Sequence, residues 1–135
     1  DLSEQAVAYG KSGIYSQMEV KRGLPEKQLA RFFSKEGATW QVRQDLKRMM
    51  TFQTANLVED AVVTRARSYG PFDIVFCRNV LIYFSPEERK NVIDRLAKTM
   101  KPRAYLLTGA ADRVVGHVSK WECTMFQGKR IWQLQ

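Results

Sequence analysis

Three short stretches carry polar residues where an open α/β sheet would present its ligand-facing ends: Asp1, the Asn56-Leu57 pair closing "TFQTANL", and the Arg78-Asn79 pair closing "FDIVFCRN". Ligands of such sheets bind in the crevice beyond the carboxyl ends of the strands. A carboxylate can accept hydrogen bonds from both hydroxyls of a ribose, which suits Asp1 after an early strand. An Asn followed by an apolar side chain suits an adenine edge and face, which fits Asn56 and Leu57. Arg78 and Asn79 stand where a buried strand should end, and a bound ligand would satisfy them there. A plainer reading competes at each position, because Asn and Asp often only cap loops.

The elements that must place these residues are legible in outline. "DLSEQAVAYGKSG" has Ser3 as an N-cap, with Ala6, Val7 and Gly10 on one side of the helix that follows. A strand would normally feed such a helix, so the chain is expected to be a fragment cut just after one. "IYSQMEV" is short and mixed. "PEKQLARFFSKEG" starts with Pro25 in a first helical turn, places Leu29, Phe32 and Phe33 at helical spacing, and stops at Gly37. "ATWQVRQDLKRMMTFQTANL" alternates at Trp40, Val42, Met50 and Phe52, which predicts two short strands and then a longer one ending at "TANL". Residues 14–55 therefore form a small inserted β-subdomain within a single truncated domain spanning 1–135.

Residues 58–71 form a polar connection ending in the turn signal "YGPF". "DIVFCR" is a compact apolar strand of the kind buried on both faces of a parallel sheet. "SPEERKNVIDRLAKTM" predicts a helix capped by Ser85, with Pro86 first, Glu88 completing a capping box, and an apolar stripe of Val92, Ile93, Leu96, Ala97 and Met100. Lys101-Pro102 ends it, "AYLLTG" is the next buried strand, and the strand–helix–strand unit implies parallel pairing. "KWECTMFQGKRIWQLQ" predicts an antiparallel hairpin turning near Gln127-Gly128-Lys129.

The chain has 135 residues, a formal net charge of +8 and 44% hydrophobic residues, which suits one domain with a respectable core. The charge favours an anionic partner. Much of it lies in residues 21–50, where Lys21, Arg22, Lys27, Arg31, Lys35, Arg43, Lys47 and Arg48 face only Glu26, Glu36 and Asp45. A solvated face is the bland account of that run. Two widely spaced cysteines, Cys77 and Cys123, with only His117 for company, make neither a disulfide scaffold nor a zinc site. No apolar run approaches the ~20 residues of a membrane span, no signal peptide opens the chain, and a reduced cytoplasmic setting is the default.

The stretch "GPFDIVFCRNVLIYFSPEERKNVIDRLAKTMKPRAYLLTG" closely resembles the C-terminal catalytic domain of the chemotaxis receptor methyltransferases, the CheR family. "GIYSQMEVKRGLP", "LARFF" and "WQVRQDLKRMMTFQTANL" resemble the same family in the same order, so the likeness runs from Asp1 to about Gly109. The resemblance implies an α/β fold: part of a Rossmann-like methyltransferase sheet dependent on S-adenosylmethionine, with its last strand antiparallel, an inserted β-subdomain and a C-terminal hairpin. It implies methyl transfer to glutamate side chains of chemoreceptor cytoplasmic helices, with S-adenosylhomocysteine as product. By position, Asp1 would hold the ribose, Asn56 and Leu57 the adenine, and Arg78 and Asn79 the sulfonium and amino-acid end. Tyr83 would approach the transferred methyl, the alternative being a core tyrosine. Residues 14–55 would face the receptor, their basic excess suiting an acidic surface.

That chemistry asks little of the protein. A glutamate is already ionised near neutral pH, so no strong base is needed. Attack on a sulfonium cancels charge, and positioning in a dry site speeds it. The family's glycine-containing cofactor loop, the strand before it and the N-terminal helical domain would lie upstream of Asp1. The family's Gly-His-Ser-Glu stretch stands here as Gly109 to Asp112, "GAAD". A fragment of this kind is expected to bind cofactor poorly alone, and its bare sheet edge could be covered in a strand-paired or swapped homodimer. Two other readings stand beside this one: a non-catalytic module docking on receptor through the basic face, and a nucleic-acid binder using the charge with Phe32, Phe33 and Trp40. Helical or strand core spacing of those aromatics argues against nucleic acid.

Overall fold

The computed structural model describes residues 1–112, 114 and 118–135, and divides them into two compact units, Asp1–Asn56 and Leu57–Gln135.

In the first unit, α1 (Glu4–Ser12) begins at Ser3, whose hydroxyl accepts the Ala6 N–H at 3.1 Å. It ends at Gly13, whose left-handed φ of 66° closes the helix. Val7 is buried while Ala6 is exposed, so the apolar side of this helix is narrower than its sequence suggests. Next come β1 (Ile14–Ser16), α2 (Gln17–Gly23), α3 (Glu26–Phe32), β2 (Phe33–Glu36), β3 (Thr39–Val42) and the single turn α4 (Gln44–Lys47). The three strands form an antiparallel sheet in the order β1-β3-β2.

The helix expected to run from Pro25 towards Gly37 stops instead at Phe32. Phe33 enters a strand, pairs with Val42 and sets its ring edge-on to Tyr15, with centroids 6.0 Å apart. Cross-strand packing here outweighs helical spacing, and Gly37, at φ 59°, serves the β2–β3 turn. The residues after Val42 also depart from expectation, forming α4 in place of a second strand, and residues 50–56 are no strand at all. Asp1 runs alongside them: the Asp1 amino group donates to the Gln53 carbonyl at 3.3 Å and the Ala55 N–H to the Asp1 carbonyl at 2.9 Å. That pattern straddling Thr54 is one rung of a parallel ladder, too little to make a strand.

In the second unit, α5 (Ala61–Arg67) lies within the stretch expected to be a plain polar connection. Its seven residues lack a side-chain N-cap bond, so neither length nor capping announced it. β4 (Phe72–Cys77), α6 (Pro86–Ala97) and β5 (Met100–Thr108) follow, then β6 (Trp121–Phe126) and β7 (Lys129–Leu134). The sheet order is β4-β5-β7-β6, with β4 and β5 parallel and β7 antiparallel to both neighbours. This is the expected α/β arrangement with one strand reversed. α6 has the expected capping box of Ser85 and Glu88 with Pro86 first. Met100, assigned by spacing to the helix, instead starts β5, which passes through Lys101 and Pro102. The hairpin turns on Gln127 (φ 47°) and Gly128 (φ 72°), the two positive dihedrals of a type I′ turn.

Val92 and Ile93 of α6 pack on Cys77, Leu106, Trp121, Trp132 and Leu134 from one face of the sheet. β4 is not buried on both faces as expected. Cys77 points into the core under α6, while Ile74 and Phe76, on the opposite face, are exposed; among the described residues β4 pairs only with β5.

Candidate functional site

Cys77 of β4 lies opposite Thr108 of β5, so the chain leaves both parallel strands at the same level, as Arg78-Asn79 and as Gly109. Asn79 adopts a left-handed backbone at φ 57°, a region Asn enters more readily than most residues. The buried carboxylate of Asp112 holds it there. Asp112 Oδ2 accepts the Asn79 N–H at 2.6 Å and the Gly109 N–H at 2.8 Å, and Oδ1 accepts the Ile82 N–H at 3.2 Å. A side chain at Gly109 would force its neighbours to shift, because a Cβ would collide with the Asn79 side-chain oxygen and come within 2.7 Å of Asp112 Oδ2.

A groove of about 420 Å³ opens at these strand ends. Arg78, Thr108 and Gly109 line one part of it, and Met125, Lys129 and Arg130 of the hairpin another. Its cations, Arg78, Lys129 and Arg130, suit a small ligand with a carboxylate, which Arg78 can grip by its planar fork. Cys77 lies just behind this edge. Burial and then the Asp112 charge push its thiol up to about 11, so at neutral pH it is a neutral core group and no nucleophile.

The residues expected to hold a cofactor fall in both units. Asp1 and Asn56 belong to the first; Leu57, Arg78, Asn79 and Tyr83 belong to the second. Asp1 is exposed, and its Oδ1 accepts the Ser3 N–H at 2.9 Å, which directs the chain into α1. A carboxylate has about four lone-pair positions, so this bond is compatible with further donors such as ribose hydroxyls. Asn56 and Leu57 are half-buried, and Leu57 packs against the core of the second unit. Asn79 is brought against Gly109 and Asp112, and Arg78 lines the groove beside them. Tyr83 closes the 3₁₀ turn Leu81–Tyr83 and is 81% exposed, so it is not a core tyrosine.

Gly109 and Asp112 were not among the residues singled out for the site. Their signal was visible as "GAAD", four residues after a strand, but it read as a departure from a family pattern and not as the support of the Asn79 turn. Among the described residues no three His, Cys, Asp or Glu side chains are placed to hold a metal ion, and His117 lies outside the described residues. No helix among the described residues is long and apolar enough to cross a membrane.

Comparison with known proteins gives one consistent result. The family described as "CheR methyltransferase, SAM binding domain" matches residues 1–130. A chemotaxis protein methyltransferase of Vibrio anguillarum is 34% identical over 136 residues, covering 100% of this chain and 48% of the relative. One from Pseudomonas putida is 36% identical over 128 residues, covering 92% of this chain and 45% of the relative. One from Escherichia coli is 33% identical over 120 residues, covering 83% and 39%. The chain thus spans about half the length of the curated relatives it matches.

Proposed function

The chain belongs to the CheR methyltransferase family, and from that premise we propose that it takes part in methyl transfer from S-adenosylmethionine to glutamate side chains of chemoreceptors, in the adaptation of chemotaxis. The observation that carries the reading is the end of β4, where Arg78 lines the groove and Asn79 is fixed against Gly109 and Asp112. The family's cofactor is S-adenosylmethionine, which when bound supplies a methyl group on an electrophilic sulfonium. Arg78, which lines the groove, would hold the carboxylate of its amino-acid end, and Asn79 the neighbouring polar groups. Asn56 and Leu57 would take the adenine, and Asp1 the ribose hydroxyls. Tyr83, exposed beside this turn in sequence, would face the reacting end. The acceptor glutamate arrives ionised, so these residues need only bind, orient and exclude water.

The first unit would meet the receptor. Of its cations, Arg43 is paired with Asp45 at 2.9 Å and Lys47 donates to the Ser12 carbonyl at 2.7 Å. Lys21, Arg22, Lys27, Arg31, Lys35 and Arg48 are exposed and available to an acidic receptor surface. The cytoplasm, where receptor signalling helices lie, is the compartment this role requires. The edge of β4 is a surface along which a second copy could pair, and a dimeric mass by light scattering would support that.

The test is methyl transfer from S-adenosylmethionine labelled in its methyl group to a chemoreceptor cytoplasmic fragment. Base-labile label in the receptor is the expected result. Cofactor binding with no label transferred to any receptor glutamate would remove the substrate assignment. Receptor binding with no cofactor affinity would favour a docking module.

A further inference from the structure

The turn 78–84 carries Arg78, Asn79 and Tyr83, and its backbone is gripped from two sides by opposite charges. On one side Asp112 accepts the N–H groups of Asn79 at 2.6 Å and Ile82 at 3.2 Å. On the other, Arg89 of α6 donates from Nε to the Leu81 carbonyl at 3.1 Å and from Nη2 to the Phe84 carbonyl at 3.0 Å. A carboxylate takes donors and a guanidinium takes acceptors, so each charge meets the only backbone group it can satisfy, and charge-assisted bonds are the stronger kind. Asp112 is buried and Arg89 half-buried, which shields both grips from water.

We propose that Asp112 and Arg89 are positioning residues that set the Arg78-Asn79-Tyr83 turn for cofactor binding, a role that rests on the cofactor assignment above. Each acts through the backbone of the turn. Leu81, fully buried, already anchors the middle of the turn by its apolar side chain. The two grips fix what Leu81 does not: the left-handed Asn79 at one end and the exit into α6 after Tyr83 at the other. Asp112 also takes the Gly109 N–H at 2.8 Å, so one carboxylate registers the end of β4 against the end of β5.

The experiment uses the full chain with Asp112→Asn, Asp112→Glu and Arg89→Lys, and reads two quantities. The first, without ligand, is hydrogen exchange of the Asn79 and Ile82 amides, with the Leu106 amide as an internal reference. Asp112→Asn is expected to speed exchange at Asn79 and Ile82 while leaving Leu106 slow. The second is the affinity for S-adenosylhomocysteine, expected to fall about ten- to a hundredfold in Asp112→Asn, the order of effect of losing a hydrogen bond to a charged group, and to recover largely in Asp112→Glu. Arg89→Lys keeps the charge but loses the fork, and is expected to weaken binding with the fold intact; it serves if Asp112→Asn does not fold. Unchanged amide exchange at Asn79 and Ile82, or unchanged affinity in a folded Asp112→Asn or Arg89→Lys, would overturn the proposal. If the unaltered chain shows no affinity at all, amide exchange alone decides whether Asp112 fixes the turn.

Discussion

Gly109 lies against Asn79 so closely that the smallest side chain there would strike the Asn79 amide oxygen. The end of β5 is thereby shaped by the residue that ends β4, and neither can change alone. Gly109→Ala is expected to destabilise the chain by about 1–3 kcal/mol, the usual cost of overpacking. It should also move the Asn79 turn. A urea titration measures the first effect, and the chemical shift of the Asn79 amide the second.

The helix after the turn depends on its cap. The Ser85 hydroxyl accepts the Glu88 N–H at 3.2 Å, and the Glu88 carboxylate takes the Ser85 N–H at 3.2 Å. Ser85→Ala should cost about 1 kcal/mol. For a unit of this size that lowers the thermal midpoint by several degrees. A change within the error of a thermal melt would mean that α6 is held by packing of Val92 and Ile93 alone.

Cys77 gives a pH dependence whose sign can be worked out. Its thiol titrates at about 11 when folded, against an ordinary value of 9.0. Between those values the unfolded chain has released the proton and the folded chain retains it, so stability falls as pH rises. The contribution is fully present below pH 9 and is lost by about pH 11. Urea midpoints at pH 8 and pH 10 should therefore differ more in the native chain than in Cys77→Ala. A thiol reagent at pH 8 should label exposed Cys123 and leave Cys77 untouched until the chain unfolds.

The β6–β7 turn offers a stabilising change. Gln127 sits at φ 47°, a left-handed conformation that costs most residues about 1–2 kcal/mol and that Asn tolerates better. Asn-Gly is also the favoured pair for a type I′ turn. Gln127→Asn should raise the thermal midpoint by a few degrees, and Gly128→Val, at φ 72°, should lower it.

What the sequence revealed followed from local rules. The capping box at Ser85, the Gln127-Gly128 turn and the parallel strands around α6 are each set by neighbours in the chain, and each formed as expected. What it concealed depends on distant partners. Phe33 has helical spacing but becomes strand because Val42 and Tyr15 meet it. Residues 50–56 look like a strand, yet they form none, and a rung of backbone bonds joins them to Asp1. "DIVFCR" has the composition of a strand buried on both faces, but α6 covers only the Cys77 face and leaves Ile74 and Phe76 exposed. Arg78 and Asn79 were visible as polar residues at a strand end, whereas the dependence of Asn79 on Asp112, across a connection of more than thirty residues, belongs to the fold.

The most direct test of the cofactor assignment is a residue-resolved NMR titration of the chain with S-adenosylhomocysteine, a measurement sensitive to weak binding. The assignment predicts saturable shifts at Arg78 and Asn79, with Asn56, Leu57 and Tyr83 following the same binding curve, and their loss in Asn79→Ala. Saturable shifts confined elsewhere, such as the depression lined by Gly10, Lys47 and Phe52, or none at Arg78 and Asn79, would contradict it.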